Sequence, residues 1–177
     1  MPPPLLYIHG LGSDRNSTKF LALQAFFPDM FDFHCMEWTE HSNIERLISQ
    51  TYTSFENNNQ LIVFGDSTGA NFAYQLRDKR TLNGLQTKLI LSAPLLDLSK
   101  RIIDFNFPKR LIPQLIKIEY PTHALLICPM QDELINHSTW KSDATNKLQV
   151  LQVNDTHRLP RFKEYLTTIK AYIEAVE

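Results

Sequence analysis

A serine framed by glycines is the feature of this chain best suited to covalent chemistry: Gly65-Asp66-Ser67-Thr68-Gly69, a Gly-x-Ser-x-Gly pattern. The apolar run Leu61-Ile62-Val63-Phe64 precedes it and a helix-forming stretch follows, the strand-turn-helix context that gives the pattern meaning. So tight a turn leaves no room for side chains two residues either side of the serine. Glycine at 65 and 69 removes that collision and lifts Ser67 into the crevice at the carboxyl end of its strand. There the unpaired N–H groups of a helix start favour developing negative charge. The competing reading is an ordinary strand-to-helix turn with a capping serine.

A serine hydroxyl is a weak nucleophile and needs a base within hydrogen-bond reach, itself oriented by a third group. Asp132 follows the apolar run Ala124 to Cys128, and His157 follows Leu148 to Val153 in the loop Asn154-Asp155-Thr156-His157. The order Ser67, Asp132, His157 is the one expected when this serine turn sits on a doubly wound sheet. Asp97 and Glu133 compete for the place of the acid. Of the six histidines, His34 and His123 read as strand residues and His41 and His137 as loop residues, so position after the last strand favours His157. Asp155 reads as a residue that shapes its loop.

Only five glycines occur, and four of them fall in two loops, the second holding Gly10 and Gly12. Acyl transfer builds an oxyanion that needs two aimed N–H donors. The amide of Thr68, after the serine, is one; Leu11, between the two glycines, is best placed to give the other, with His9 bracing its loop. A dinucleotide reading of Gly10-Leu11-Gly12-Ser13-Asp14-Arg15 fails, because arginine stands where the third glycine is needed. No Gly-Lys-Ser/Thr phosphate loop exists, no histidine pair spans a glutamate at i, i+4, and the cysteines form no Cys-x-x-Cys pair. Neither a metal nor a cofactor is expected.

These side chains must be carried by a sheet. Pro4 to His9 reads as a strand buried on both faces, Asn16 to Phe27 as a helix, and Phe31 to Trp38 as a second strand. Ser42, with Glu45 three residues on, predicts a capping box opening a helix that Asn57-Asn58-Asn59 ends. Gln60 to Phe64, Lys88 to Ala93, His123 to Cys128 and Leu148 to Val153 complete six strands; helices are expected over Ala70 to Lys79 and Pro160 to Val176, the latter with Phe162, Leu166, Ile169, Tyr172 and Ile173 inward. The alternation predicts an α/β fold, a minimal doubly wound, mostly parallel sheet of about six strands with helices on both faces. Residues 95–120 break the rhythm. This insertion, greasy with Leu98, Ile102, Ile103, Phe105, Leu111, Ile112, Leu115, Ile116 and Ile118, reads as a longer crossover helix, a partial lid forming one wall of an acyl pocket, or a dimer surface.

At 177 residues, a single domain over 1–177 is expected, with one real core. Eighteen basic residues against 19 acidic, with no basic run, exclude the electrostatic footprint of a nucleic-acid or membrane-surface binder. No apolar stretch is long enough to span a bilayer and no signal core opens the chain, so a cytoplasmic protein is expected. Cys35 and Cys128 read as reduced core residues.

Taken together, these blocks resemble the α/β-hydrolase superfamily, and more narrowly its small bacterial YqiA-like esterases. The resemblance rests on Leu5-Leu6-Tyr7-Ile8-His9-Gly10-Leu11 with Ser13, Ser17 and Lys19 downstream, on Ile62 to Gly69, on Gln131-Asp132-Glu133-Leu134-Ile135, and on His157 before a terminal helix. It implies Ser67 as nucleophile, Asp132 as orienting acid, His157 as base, the Leu11 and Thr68 amides as oxyanion hole, and hydrolysis of carboxylic esters of short acyl chains without a cofactor. The chain departs from that pattern at Ala70-Asn71, where relatives often have a second glycine, at Met130, which replaces a glycine before the acid, and at Asn154-Asp155-Thr156, which replaces a glycine-rich approach to the histidine. The expected partner is a small-molecule ester, with oligomeric state left open. Thioesterase and peptidase chemistry use the same groups, and a hydrolase fold kept as an idle interaction module is the alternative from another class.

Overall fold

The computed structural model of the protein describes residues 2–103 and 106–175. Phe105 and Val176, expected in the insertion and the last helix, lie outside them. Six strands, β1 (Pro4–Ile8), β2 (Asp32–Met36), β3 (Gln60–Asp66), β4 (Gln86–Ser92), β5 (Ala124–Pro129) and β6 (Leu148–Val153), form one parallel sheet in the order β2-β1-β3-β4-β5-β6. Four helices accompany them among the described residues: α1 (Thr18–Phe26), α2 (Ile44–Ser54), α3 (Thr68–Leu82) and α4 (Leu166–Glu174).

The period-2 alternation of strand side chains explains why β1 and β3 read as unbroken apolar runs. Leu6, Ile8, Leu61, Val63, Leu89, Leu91 and Leu126 point into one core, under α2 and α3. Leu5, Tyr7, Ile62, Phe64, Ile90, Leu125 and Ile127 point into the other, under α1 and α4. Edge strands β2 and β6, covered less completely, carry the polar residues His34, Gln149 and Gln152. Arg80 of α3, buried entirely, gives its N–H groups to the carbonyls of Phe55 (2.8 Å) and Asn58 (2.7 Å) and to Thr87 Oγ1 (2.9 Å), tying the ends of α2 and α3 to the start of β4. Lys88 of β4 donates to the carbonyls of Tyr172 and Ile173 and so holds the carboxyl end of α4.

Several expectations are corrected. The cap of α2 is Asn43, whose Oδ1 accepts the Arg46 N–H at 2.8 Å, while Ser42 Oγ takes the Thr39 N–H instead, so no capping box forms at Ser42 and Glu45. His123 is not in β5; it sits just before it with φ 49°. The last helix opens with a 3-10 segment, Phe162–Tyr165. Its start is pinned by Asp155, whose carboxylate accepts the Arg161 N–H and the Tyr165 hydroxyl, both at 3.0 Å.

The insertion forms no α-helix among its described residues, only the 3-10 turns Leu98–Lys100 and Ile112–Gln114. Pro108 and Pro113 would each remove a helical hydrogen bond and clash with the preceding turn. Phe107, Leu111 and Ile118 are instead buried in the first core, and Ile102, Ile103, Ile112 and Ile116 stay exposed. Asn71, fully buried on α3 at one of the two positions where the chain departs from the glycine of the family pattern, clamps both ends of the segment. Its amide donates to the carbonyls of Leu95 (3.3 Å) and Ile116 (2.8 Å), and its oxygen accepts the Ile116 N–H (3.1 Å).

Helix α3 lies unusually close to the sheet. A Cβ on Gly69 would stand 2.3 Å from the carbonyl oxygens of both Ile8 and His9, and one on Gly65 would stand 2.6 Å from Ala70 Cα. Gly69→Ala is therefore expected to destabilise the fold by about 3 kcal/mol or more, lowering Tm by roughly 10 °C in a calorimetric scan. Gly84→Ala, at φ +74° with open space around it, should cost only about 1 kcal/mol.

Candidate active site

Ser67 stands between β3 and α3 with φ 50° and ψ −117°, a conformation that costs a non-glycine residue roughly 1–3 kcal/mol and persists only where the surroundings over-determine it. Three backbone bonds do so: Ser67 N–H to Ser92 O (2.9 Å), Leu95 N–H to Ser67 O (3.0 Å) and Ala70 N–H to Ser67 O (3.1 Å). The side chain is thereby turned out of the sheet and remains partly exposed.

The structure brings Ser67, Asp132 and His157 into one chain of hydrogen bonds. Ser67 Oγ lies 2.9 Å from His157 Nε2, and His157 Nδ1 lies 2.8 Å from Asp132 Oδ2. Asp132 is an ionised carboxylate and only accepts, so the His157 proton is assigned to Nδ1 and Nε2 is left to accept from the serine hydroxyl. Burial alone would raise the Asp132 carboxyl; donation from His137 and His157 and from the Ile135 N–H outweighs it and holds the group well below the usual carboxylate range.

The rivals lie elsewhere. Asp97 Oδ1 caps the 3-10 turn at Leu98 by accepting the Ser99 N–H (2.8 Å), and Glu133 Oε2 accepts the backbone N–H of His157 (3.1 Å), not its ring. Asp155 shapes the loop, accepting the Thr156 N–H at 2.9 Å. His34 pairs with Asp32 on β2 and His41 with Glu40 in the following turn. His137, which reads in the sequence as a plain loop residue, is buried and its Nε2 donates to Asp132 Oδ2 at 2.8 Å. Spacing gives no signal for it, since a histidine five residues beyond an aspartate in a loop has no fixed geometry.

A cavity of about 420 Å³ opens on Ser67 and His157, lined by Leu11, Ser13, Ser17, Thr18, Lys19, Thr68, Leu134 and Arg158 among others. None of the described residues of 95–120 lines it, so the expectation that the insertion walls the pocket is not met; Leu11 and Leu134 are its apolar side chains. The close approach at Gly10, whose Cβ would stand 3.2 Å from Ser67 Cβ, sets the Leu11 loop directly beside the serine turn. His9 braces that loop. Its Nδ1–H donates to Gly10 O (2.8 Å), its Nε2 accepts the Trp38 N–H (3.2 Å), and its ring stacks on Trp38. A larger groove of about 800 Å³ near Asp97 and Trp140 holds none of these groups. No cluster of three or more His, Cys, Asp or Glu side chains could hold a metal among the described residues. No helix among them is long and apolar enough to cross a membrane.

Beneath the serine turn, Asp66 forms a bidentate ion pair with Lys19 of α1, both N···O distances 2.9 Å, and also accepts from Ser92 Oγ at 2.6 Å. Both partners are about nine-tenths buried. Tyr7 beside them, bonded to Ser17 Oγ at 2.9 Å, has its hydroxyl pushed up by burial and by the Asp66 charge.

No protein-family model and no curated protein matches this sequence. Solved structures do. The chain is similar to a protein from Agrobacterium vitis S4 assigned as a hydrolase (17% identity, TM-score 0.69, covering 98% of this chain and 88% of that one). It is similar to one from Xanthomonas campestris assigned to the α/β superfamily of hydrolases (16% identity, TM-score 0.66, covering 98% and 97%). It is also similar to the RedJ thioesterase of the prodiginine pathway of Streptomyces coelicolor (14% identity, TM-score 0.69, covering 97% and 90%). The chain has the α/β-hydrolase fold.

The two buried carboxylates of the site give contrasting expectations. Lys19→Met, which strands the Asp66 carboxylate in a buried place, should cost about 3 kcal/mol in urea denaturation, and adding Asp66→Asn should recover part of it. Asp132 has a lowered folded-state pKa, so its stabilisation is complete above the unfolded value of about 3.9 and is lost as pH falls through the folded one. The stability gap between wild type and Asp132→Asn should hold constant above about pH 5 and narrow steadily below pH 4.

Proposed function

We propose that the protein is a serine hydrolase that cleaves carboxylic esters of short acyl chains through an acyl-enzyme on Ser67. The observation that carries this reading is the unbroken chain Ser67 Oγ, His157 Nε2, His157 Nδ1, Asp132 Oδ2, with links of 2.9 and 2.8 Å at the mouth of a cavity.

In this mechanism Ser67 Oγ attacks the acyl carbon as its proton passes to His157 Nε2, and Asp132 balances the imidazolium that forms. Negative charge gathers on the carbonyl oxygen, which the amides of Thr68 and Leu11 stabilise. Collapse breaks the bond to the leaving alcohol, which takes its proton from His157. Water then attacks the acyl-enzyme, His157 again serving as base, and the acid departs.

Short acyl groups suit a cavity of about 420 Å³ whose apolar contacts come from Leu11 and Leu134 while Ser13, Ser17 and Thr18 supply hydroxyls. Thioesters are the second substrate class, favoured by the similarity in fold to a thioesterase; the same atoms serve, since only the leaving atom differs. An idle fold kept for binding alone would be labelled at Ser67 and yet turn over no acyl donor. A cytoplasmic setting, where two cysteines stay reduced, is part of this reading.

Purified protein should turn over p-nitrophenyl acetate faster than its long-chain homologues and should be labelled by a fluorophosphonate. Ser67→Ala should lose the label and lower kcat by about 10⁴-fold or more. Turnover or labelling that survives in the variant defeats the assignment, and parallel assays on acetyl thioesters establish the leaving group.

A further inference from the structure

We infer that His137 is a positioning residue that shares the Asp132 carboxylate with His157 and thereby sets the basicity and orientation of the His157 imidazole. The inference rests on the hydrolase reading for its consequence in catalysis, but not for the physical coupling it asserts.

Asp132 has four hydrogen bonds, as many as a carboxylate can comfortably accept. Oδ1 takes the N–H groups of Leu134 (2.8 Å) and Ile135 (2.9 Å), which fixes the plane of the group against its own loop. Oδ2 takes two imidazole N–H groups, His157 Nδ1 and His137 Nε2, both at 2.8 Å. Since the carboxylate is only an acceptor, the His137 proton must lie on Nε2. Nδ1 of His137 is buried and meets no hydrogen-bond partner among the described residues. A cationic ring would bury a second, orphaned N–H there, so the neutral Nε2–H tautomer is the form the site holds. The ring therefore has one polar contact, and it is aimed at the same oxygen that orients His157.

A shared oxygen divides its charge. With His137 donating, Oδ2 offers His157 less electron density than an unshared carboxylate would, so the His157 imidazolium is less favoured than it would be beside an unshared one. With His137 removed, Oδ2 regains a lone pair, His157 becomes more basic, and the carboxylate loses one of the two contacts that hold Oδ2 in place.

The other charged or titratable groups are few. His137 faces Asp132 from its own loop and shares a small cavity with Cys128 of β5, whose thiol burial keeps neutral. His157 faces Ser67 from the serine turn and Glu133 and Asp132 from the loop after β5, with Arg158 beside it and the paired Lys19 and Asp66 across the cavity. Of these, only Asp132 touches both rings.

The test is imidazole ¹H–¹⁵N NMR titration of the full chain, with ester kinetics against pH. His137→Leu should raise the His157 titration midpoint by about half a unit, move the acid limb of kcat/KM upward equally, and lower kcat about fivefold with KM unchanged. His137→Gln, whose amide can replace the Nε2–H donor, should restore midpoint and profile. If His137→Leu does not fold, His137→Asn, too short to reach Asp132, gives the same reading. A His157 midpoint that is equal in wild type and the donor-less variant overturns the inference even if hydrolysis is robust. A wild type that hydrolyses no acyl donor overturns the hydrolase reading, and the NMR midpoints then decide the coupling by themselves.

Discussion

Everything at this site depends on how closely the start of α3 approaches the carboxyl ends of β1 and β3. The carbonyl oxygens of Ile8 and His9 lie where a side chain on residue 69 would have to be, and Ala70 and Ala73 lie where one on residue 65 would be. Only glycine permits that contact, and the contact is what forces the chain through the strained dihedrals of Ser67. The roughly 1–3 kcal/mol of strain is offset by packing and by the backbone bonds of the turn rather than by any interaction of the serine side chain itself. The hydroxyl is thus presented by the backbone, leaving its own hydrogen bond free to point at His157.

A second constraint lies beneath the first. The Lys19–Asp66 pair links α1, on one face of the sheet, to the residue before Ser67, and Ser92 Oγ joins the same carboxylate from β4. Such a pair gains little over a well-packed apolar substitute, because two charges have been desolvated to make it. Its geometric value is greater: three elements converge on one carboxylate and fix the floor of the cavity. His9 and Trp38 do the same for the opposite rim, the imidazole satisfied at both nitrogens and stacked on the indole. The cavity is therefore bounded by hydrogen-bonded side chains at the ends of β1, β2, β3 and β4 and on α1, although most of its lining residues come from loops.

Where one rule governs a segment, the amino-acid pattern is enough to read it. Apolar runs flanked by turn residues locate all six strands, because burial on both faces of the sheet leaves an unbroken local pattern, and the glycine spacing locates the serine turn, because a tight turn is a matter of local sterics. Segments governed by tertiary competition are not legible in the same way. The insertion has helical hydrophobic spacing, yet two prolines and the clamp from Asn71 prevail over it. Asn43 displaces Ser42 as the cap of α2 by a single residue, a choice that depends on where the preceding loop arrives. His137 is invisible in the sequence because its partner is fixed by a turn whose shape depends on Asp132 accepting two backbone N–H groups, and no residue pattern encodes that.

Ser67, Asp132, His137 and His157 are carried by two bodies of hydrogen-bonded backbone. Met130 N–H bonds to Val153 O and Gln131 N–H to Asp155 O, so the loops after β5 and β6 are stitched together and carry Asp132, His137 and His157 as one unit. Ser67 belongs to the other body, built from β3, β4 and α3. The side-chain bond that crosses between them is Ser67 to His157, 2.9 Å long, and it carries none of the burden of holding the bodies in place. That burden falls on β4 against β5, where Leu89 to Ser92 pair with Ala124 to Ile127 and the Ala93 N–H continues to Ile127 O. The placing of Ser67 against His157 is accordingly set at the centre of the sheet, remote from the polar residues that meet in the cavity.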